Sequence, residues 1–203
     1  MSKKAVDIVL LPDRQMMDKA IQANAELVKR FGERIVLNSK NCLPHISLAM
    51  GCIDERQVGD IKDVLKEIAE GNPLGDLEIS GVTAETNAVG RKVSSFQVRK
   101  TEKLQRLHKD VMNKLEVFLK YDVTEDMLYG DEKKAESTLI WIKDYREKSG
   151  FSKFWPHITI GYGWLEGSPP KAERLRSFSV NELAICHLGN HCTCRKVLAS
   201  VPI

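Results

Sequence analysis

Pro44-His45-Ile46-Ser47-Leu48-Ala49-Met50-Gly51 is written a second time, with conservative changes, as Pro156-His157-Ile158-Thr159-Ile160-Gly161-Tyr162-Gly163. Each copy opens on proline, sets a histidine one apolar residue ahead of a hydroxyl residue, and closes on glycine. Alternation of this kind is the period of a strand. Alternate side chains of a regular strand share a face, so His45, Ser47 and Ala49 belong together, as do His157, Thr159 and Gly161. The opposite faces carry Ile46, Leu48 and Met50 in one copy and Ile158, Ile160 and Tyr162 in the other, and are expected to pack on helices. The small residues Ala49 and Gly161 leave room beside each histidine. Two such strands in one chain imply two histidines facing one another across a shared space.

Outward from these strands, the pattern alternates. Ala5 to Leu11 reads as an apolar strand. Asp13 is placed to cap a helix whose apolar face is Met17, Ile21, Leu27, Val28 and Phe31, ended by Gly32. Asp54 with Gln57 forms a capping box ahead of the stripe Val58, Ile61, Leu65 and Ile68, which stops at Gly71-Asn72-Pro73. Strands are expected at Leu77 to Ala84 and Val93 to Arg99, with a turn over Thr86 to Arg91. Thr101 caps a helix carrying Leu104, Leu107, Val111, Leu115 and Phe118. Asp122 to Gly130 is irregular, and Asp131 to Lys148 reads as a helix with Ala135, Leu139, Ile142 and Tyr145 on one side. Strands at Phe178 to His187 and Cys194 to Val201 follow the second motif. Strands in adjacent pairs as well as alternating with helices favour an α+β fold with largely antiparallel sheets. No Pro- or Ser-rich linker divides the chain, so residues 1–203 read as one domain of two lobes that share strands, with a lobe boundary near 84–100.

Composition sets limits. The 203 residues are 42% hydrophobic and 29% charged, with a net charge of +3. That is an ordinary globular composition, too mildly basic to argue for duplex DNA, and it leaves room for a locally basic cleft. The apolar run Ile8 to Leu11 is broken at once by Pro12-Asp13-Arg14, too short for a signal peptide or a membrane span, so a cytoplasmic protein is expected. Five cysteines, an odd number without a secretory signal, argue against a disulfide framework.

The chemistry follows from the residue types. Imidazoles titrate near neutrality, so one of His45 and His157 can be a base while the other is an acid. In phosphodiester cleavage a base takes the proton of the attacking hydroxyl and an acid protonates the leaving oxygen on the far side of phosphorus. Ser47 and Thr159 can donate to the non-bridging oxygens, where charge builds. No metal or other cofactor is needed by this scheme.

His45-x-Ser47 and His157-x-Thr159 resemble the paired motifs of the two-histidine (2H) phosphoesterase superfamily, which includes 2′-5′ RNA ligase-like and 2′,3′-cyclic nucleotide phosphodiesterase proteins. The resemblance spans nearly the whole chain. It implies two pseudo-symmetric lobes around a central cleft with helices outside, and His45, Ser47, His157 and Thr159 in the catalytic positions. It also implies metal-independent work on nucleotides or RNA with 2′-5′ or 2′,3′-cyclic phosphates. Ligase-like members commonly carry a basic residue three positions after the threonine, where this chain has Tyr162. A cleft of this kind needs no partner subunit, so a monomer is expected. A module that holds a nucleotide or RNA end without turnover would use the same residues, and 2′-5′ ligation is the other alternative.

Three further groups stand out. Lys153, Phe154 and Trp155, with Phe151, precede the second motif, where Trp155 could stack a base and Lys153 meet a phosphate; Tyr162 joins them as a substrate-binding candidate. Aromatics at that point also commonly close a core. Arg91, Lys92, Arg99 and Lys100 could edge the cleft or be solvated. His187, His191, Cys192 and Cys194 have the composition of a zinc set, but Cys-x-Cys on a strand is an ordinary buried pattern. His108 reads as a surface or boundary residue.

Overall fold

The computed structural model describes residues 2–32, 35–87, 89–164 and 177–203. Its strands are β1 (Lys3–Pro12), β2 (Ile46–Asp54), β3 (Leu77–Thr86), β4 (Lys92–Val98), β5 (His157–Tyr162), β6 (Ser177–Phe178), β7 (Val180–Leu188) and β8 (Cys194–Pro202). The helices among the described residues are α1 (Arg14–Phe31), α2 (Val58–Gly71), α3 (Glu102–Lys114) and α4 (Glu136–Ser149). The strands form two four-stranded sheets, in the orders β2-β1-β7-β8 and β5-β4-β3-β6, and every pairing is antiparallel. The first sheet draws its strands from both ends of the described chain. The second is built from residues 77–178, so the β3–β4 hairpin lies inside it. No helix among the described residues is long and apolar enough to cross a membrane.

The motif strands β2 and β5 are edge strands of their sheets, and the two edges touch. β1 is central in the first sheet and buried from Ala5 through Leu11. Helix α1 connects β1 to β2 yet packs on β5 of the other sheet, while α3 and α4 pack on β2 and α2 on β7 and β8. Burial of these faces is the main favourable term, about 1.5–3 kcal/mol for each large apolar side chain.

The capping signals hold. Asp13 accepts from Met16 N, Thr101 accepts from Leu104 N, and the Asp54–Gln57 capping box is formed. The buried face of α1 differs from the expected one: it is Met16, Ala20, Ala23, Asn24 and Leu27, and Phe31 is 46% exposed. The bulky residues had marked the face, but a helix lying close on β5 puts small side chains at the contact. Helix α4 begins at Glu136 rather than Asp131. Lys134 Nζ donates to the carbonyls of Tyr129 and Gly130, both at 2.7 Å, which holds the preceding residues out of the helix. Asn190 Oδ1 then accepts from Ala135 N at 2.9 Å, an external cap for α4.

Cys186 and Cys194 form a disulfide across β7 and β8, with Cys42, Cys52 and Cys192 free. The odd count had argued against a disulfide framework; the structure has this one bridge.

The placement of His108 corrects the expectation of a surface residue. It is fully buried. Its Nδ1 donates to Leu48 O at 2.8 Å, its Nε2 accepts from Phe151 N at 2.8 Å, and its ring stacks on Phe154 with centroids 4.0 Å apart. A neutral ring satisfies both partners, and a charged one would have no acceptor for its second proton. Burial pushes the imidazole down from 6.5 to about 4. The unfolded chain therefore takes up a proton that the folded chain refuses, so this contribution to stability is whole above pH 6.5 and is lost as pH falls toward about 4. His108→Ala leaves a buried carbonyl and N–H unpaired, and is expected to cost about 2–4 kcal/mol in urea unfolding at pH 7.5. Its stability should also fall less steeply with acid than that of the unaltered protein.

Candidate functional site

Where the two edge strands meet lies a cavity of about 310 Å³ whose wall includes His45, Ser47, His157, Thr159, Trp155 and Tyr162. The two histidines are held in the same way. His45 Nδ1 donates to Leu43 O at 2.7 Å, and His157 Nδ1 donates to Trp155 O at 2.9 Å. Each acceptor is the carbonyl two residues earlier. A carbonyl can only accept, so the proton of each neutral ring sits on Nδ1 and Nε2 keeps its lone pair.

A second likeness lies in the backbone. In β2 the register with β1 slips between Ser47, opposite Val9, and Ala49, opposite Ile8. In β5 the register with β4 slips between Thr159, opposite Ser95, and Gly161, opposite Ser94. The extra residue is Leu48 in one strand and Ile160 in the other, each three positions after its histidine. A bulge resets the alternation of side chains. As a result Met50 and Tyr162 line the cavity, and Ala49 and Gly161 do not. This reverses the faces expected from a regular strand. Gly161 has φ +130, and a Cβ there would stand 2.8 Å from Asn24 Nδ2. Its smallness thus accommodates helix α1, not a ligand.

Each bulge carbonyl is taken by a buried polar side chain from a helix. His108 of α3 holds Leu48 O, as above, and Asn24 of α1 donates to Ile160 O at 2.9 Å. Asn24 also donates to Ile35 O and accepts from Leu37 N, both at 2.8 Å.

The two halves differ beneath the histidines. Asp7 of β1 is fully buried below His45 and Ser47. Ser47 Oγ donates to Asp7 Oδ2 at 2.6 Å, and His45 Nε2 is 3.6 Å from the same oxygen. Asp7 Oδ1 is buried without a hydrogen-bond partner among the described residues. Burial, only partly offset by the Ser47 hydrogen bond, holds the Asp7 carboxyl well above its usual range. Burial likewise pushes His45 down to about 4, against the Leu43 carbonyl, and lowers His157 against the Trp155 carbonyl. Sequence reading passed over Asp7, although a carboxylate in the middle of an apolar strand was a visible signal.

The other candidates divide. Trp155 stacks on His157, with ring centroids 4.6 Å apart and planes at 28°. Phe154 is buried against His108 and serves the core as well as the wall. Lys153 is exposed, donates to Glu147 O at 2.7 Å and is absent from the cavity wall. Arg91, Lys92, Arg99 and Lys100 are also absent from it; Arg99 pairs with Glu78, and Lys100 donates to the carbonyls of Ser152 and Phe154.

The His/Cys group at the β7–β8 turn does not converge. Cys194 is in the disulfide and His187 Nε2 faces Met127 O at 3.0 Å. Among the described residues no three His, Cys, Asp or Glu side chains gather as a metal site. Instead His191 and Cys192 join the cavity wall from a turn with left-handed backbone, φ 59 and 54. His191 Nδ1 lies 3.1 Å from Tyr162 Oη, linking the first sheet to the second. Trp141 of α4, 40% exposed, lines the cavity as well. Nothing in the periodicity of α4 pointed to it.

Nitrogen-15 spectra recorded at pH 7 are expected to put the proton on Nδ1 of both His45 and His157. His45 should not become an imidazolium in the free protein until well below pH 6. No protein-family model matches the chain, and no curated protein matches it.

Proposed function

We propose that the protein is a metal-independent phosphodiesterase acting on 2′,3′-cyclic phosphate or 2′-5′ linked nucleotides and RNA ends, by acid–base catalysis between His45 and His157. The observation that carries this reading is the matched pair of Nδ1-anchored imidazoles on the wall of one cavity. We read the two sheets as pseudo-symmetric lobes, with a bulged motif strand at the facing edge of each.

One Nε2 takes the proton of the attacking hydroxyl while the other ring delivers a proton to the leaving oxygen. Thr159 Oγ1, on the same wall, is suited to the non-bridging oxygens, whereas Ser47 Oγ gives its proton to Asp7 Oδ2 at 2.6 Å. The cavity fits a small ligand. Its volume is at the low end for a small-molecule site, and its wall mixes Trp141, Trp155 and Tyr162 with few charges. Among the described residues of the wall the only Lys or Arg is Lys148, whose Nζ is already paired with Asp144 at 2.7 Å, and Glu85 adds a carboxylate. Such a wall suits a singly charged diester with an aromatic base better than a polyanion. The same surroundings suit a nucleotide or a short RNA end as the partner.

The test is turnover of a 2′,3′-cyclic nucleotide and a 2′-5′ dinucleotide in the presence of a chelator. Turnover is expected to survive chelation, and His45→Ala and His157→Ala should each lose at least about 100-fold in kcat. Thr159→Ala should lose about 10-fold or more. Full activity in either histidine variant, or nucleotide binding without any product, would remove the proposal.

A further inference from the structure

Two half-sites that agree in so many details draw attention to where they disagree, and one such place lies opposite Met50 and Tyr162. Tyr162 pairs with Val93 on the neighbouring strand, and its counterpart Met50 pairs with Asp7. Val93 and Asp7 are thus equivalent positions, five residues along from each histidine's register. Asp7 lies 3.6 Å from His45 Nε2 and off the cavity wall, whereas Val93 lines the wall and the carboxylate acting on His157 is Glu85.

Asp7 gains nothing as a structural residue. It is fully buried, and among the described residues one of its oxygens has no partner and no Lys or Arg pairs with it. An ionised carboxylate in that position would be costly, whereas a neutral acid can accept from Ser47 on Oδ2, the oxygen 3.6 Å from His45 Nε2. The titratable groups facing it are His45 from β2, Tyr145 from α4 and Cys192 from the β7–β8 turn. Each of these is neutral in such surroundings, so the carboxyl meets no fixed charge. His45 in turn faces His157 across the cavity, and His157 faces Glu85.

Resting on the two-histidine reading above, we infer that Asp7 is a positioning residue that stores one proton for His45, making His45 the acid and His157 the base in cleavage. Moving that proton from Asp7 to His45 Nε2 turns a neutral pair into an ion pair with no change in net charge. An anionic diester entering the cavity favours the charged arrangement. His157 Nε2 then removes a proton from the attacking water as its oxygen bonds to phosphorus. The bond from phosphorus to the leaving oxygen breaks, its electron pair stays on that oxygen, and the Nε2–H of His45 supplies the proton. His157 ends as an imidazolium and Asp7 as a carboxylate. Solvent returns the proton from one to the other after release. In the reverse direction the roles exchange.

Two measurements test this. In the unaltered protein at pH 7, the carbon-13 shift of the Asp7 carboxyl should be that of a protonated acid. A carboxylate shift beside two neutral imidazoles would overturn the proposal without any variant having to fold. The second compares a 2′-5′ dinucleotide, whose alkoxide leaving group needs an acid, with a nucleoside 4-nitrophenyl phosphodiester, whose leaving group does not. Asp7→Asn and His45→Ala should lose about 100-fold on the dinucleotide but less than about 3-fold on the nitrophenyl ester. His157→Ala should lose heavily on both. Equal losses on the two esters in Asp7→Asn, no loss on either, or a sparing of His157→Ala in place of His45→Ala would each overturn the assignment. If the unaltered protein turns over neither ester, the two-histidine reading itself falls, and the role of Asp7 falls with it even where the stored proton is found.

Discussion

Two backbone carbonyls, displaced from their ladders by bulges, are captured by side chains buried in the core. His108 takes Leu48 O and Asn24 takes Ile160 O. An unpaired buried carbonyl is costly, so each bulge exists only because a helix supplies a donor at that point. The same two side chains also tie the halves together. Asn24 connects α1 to β5 and to the chain at Ile35 and Leu37. His108 connects β2 to Phe151, at the approach to β5. The spacing of the motif strands, and hence the width of the cavity, is set by these bonds rather than by direct pairing of β2 with β5. The left-handed φ of 55 at Phe151 is held by that same hydrogen bond to His108.

The duplicated octapeptide marked the two motif strands without coordinates. Capping residues also read well, because Asp13, Thr101 and the Asp54–Gln57 pair act locally. What could not be read is what distant residues impose. Alternation assigned Ala49 and Gly161 to the working face, but an inserted residue in each strand hands that position to Met50 and Tyr162. Nothing in eight residues announces a bulge when its cause is an asparagine or a histidine on another element. Lys153 looked like a phosphate ligand from its neighbours in sequence, yet the turn over residues 151–153 directs it to the end of α4. His191 was weighed as a metal ligand because it stands near cysteines, and the fold instead sets it beside Tyr162.

The electrostatics of the cavity follow from the same economy of partners. His45 and His157 each give one nitrogen to their own strand, which fixes ring orientation and leaves the other nitrogen for chemistry. Trp155 lies flat against His157, and Asp7 lies under His45. Burial lowers both imidazoles, His45 to about 4, and the Glu85 carboxylate partly offsets it at His157. Two half-sites of similar geometry thus place their imidazoles in different surroundings.

The partition of strands between sheets also bears on the order of assembly. The β5-β4-β3-β6 sheet closes within residues 77–178, whereas β1 must wait for β7 and β8. Contacts between segments so far apart in sequence form late and slowly. On a ribosome, β1 and β2 emerge early with one flank of β1 unpaired. That flank is a sticky edge, shielded in the finished molecule only when residues 180–187 arrive. The carboxyl group at Asp7, in the middle of that waiting strand, is charged in water, and burial raises its proton affinity only once it is enclosed. It would therefore discourage premature pairing of nascent chains until the fold closes over it.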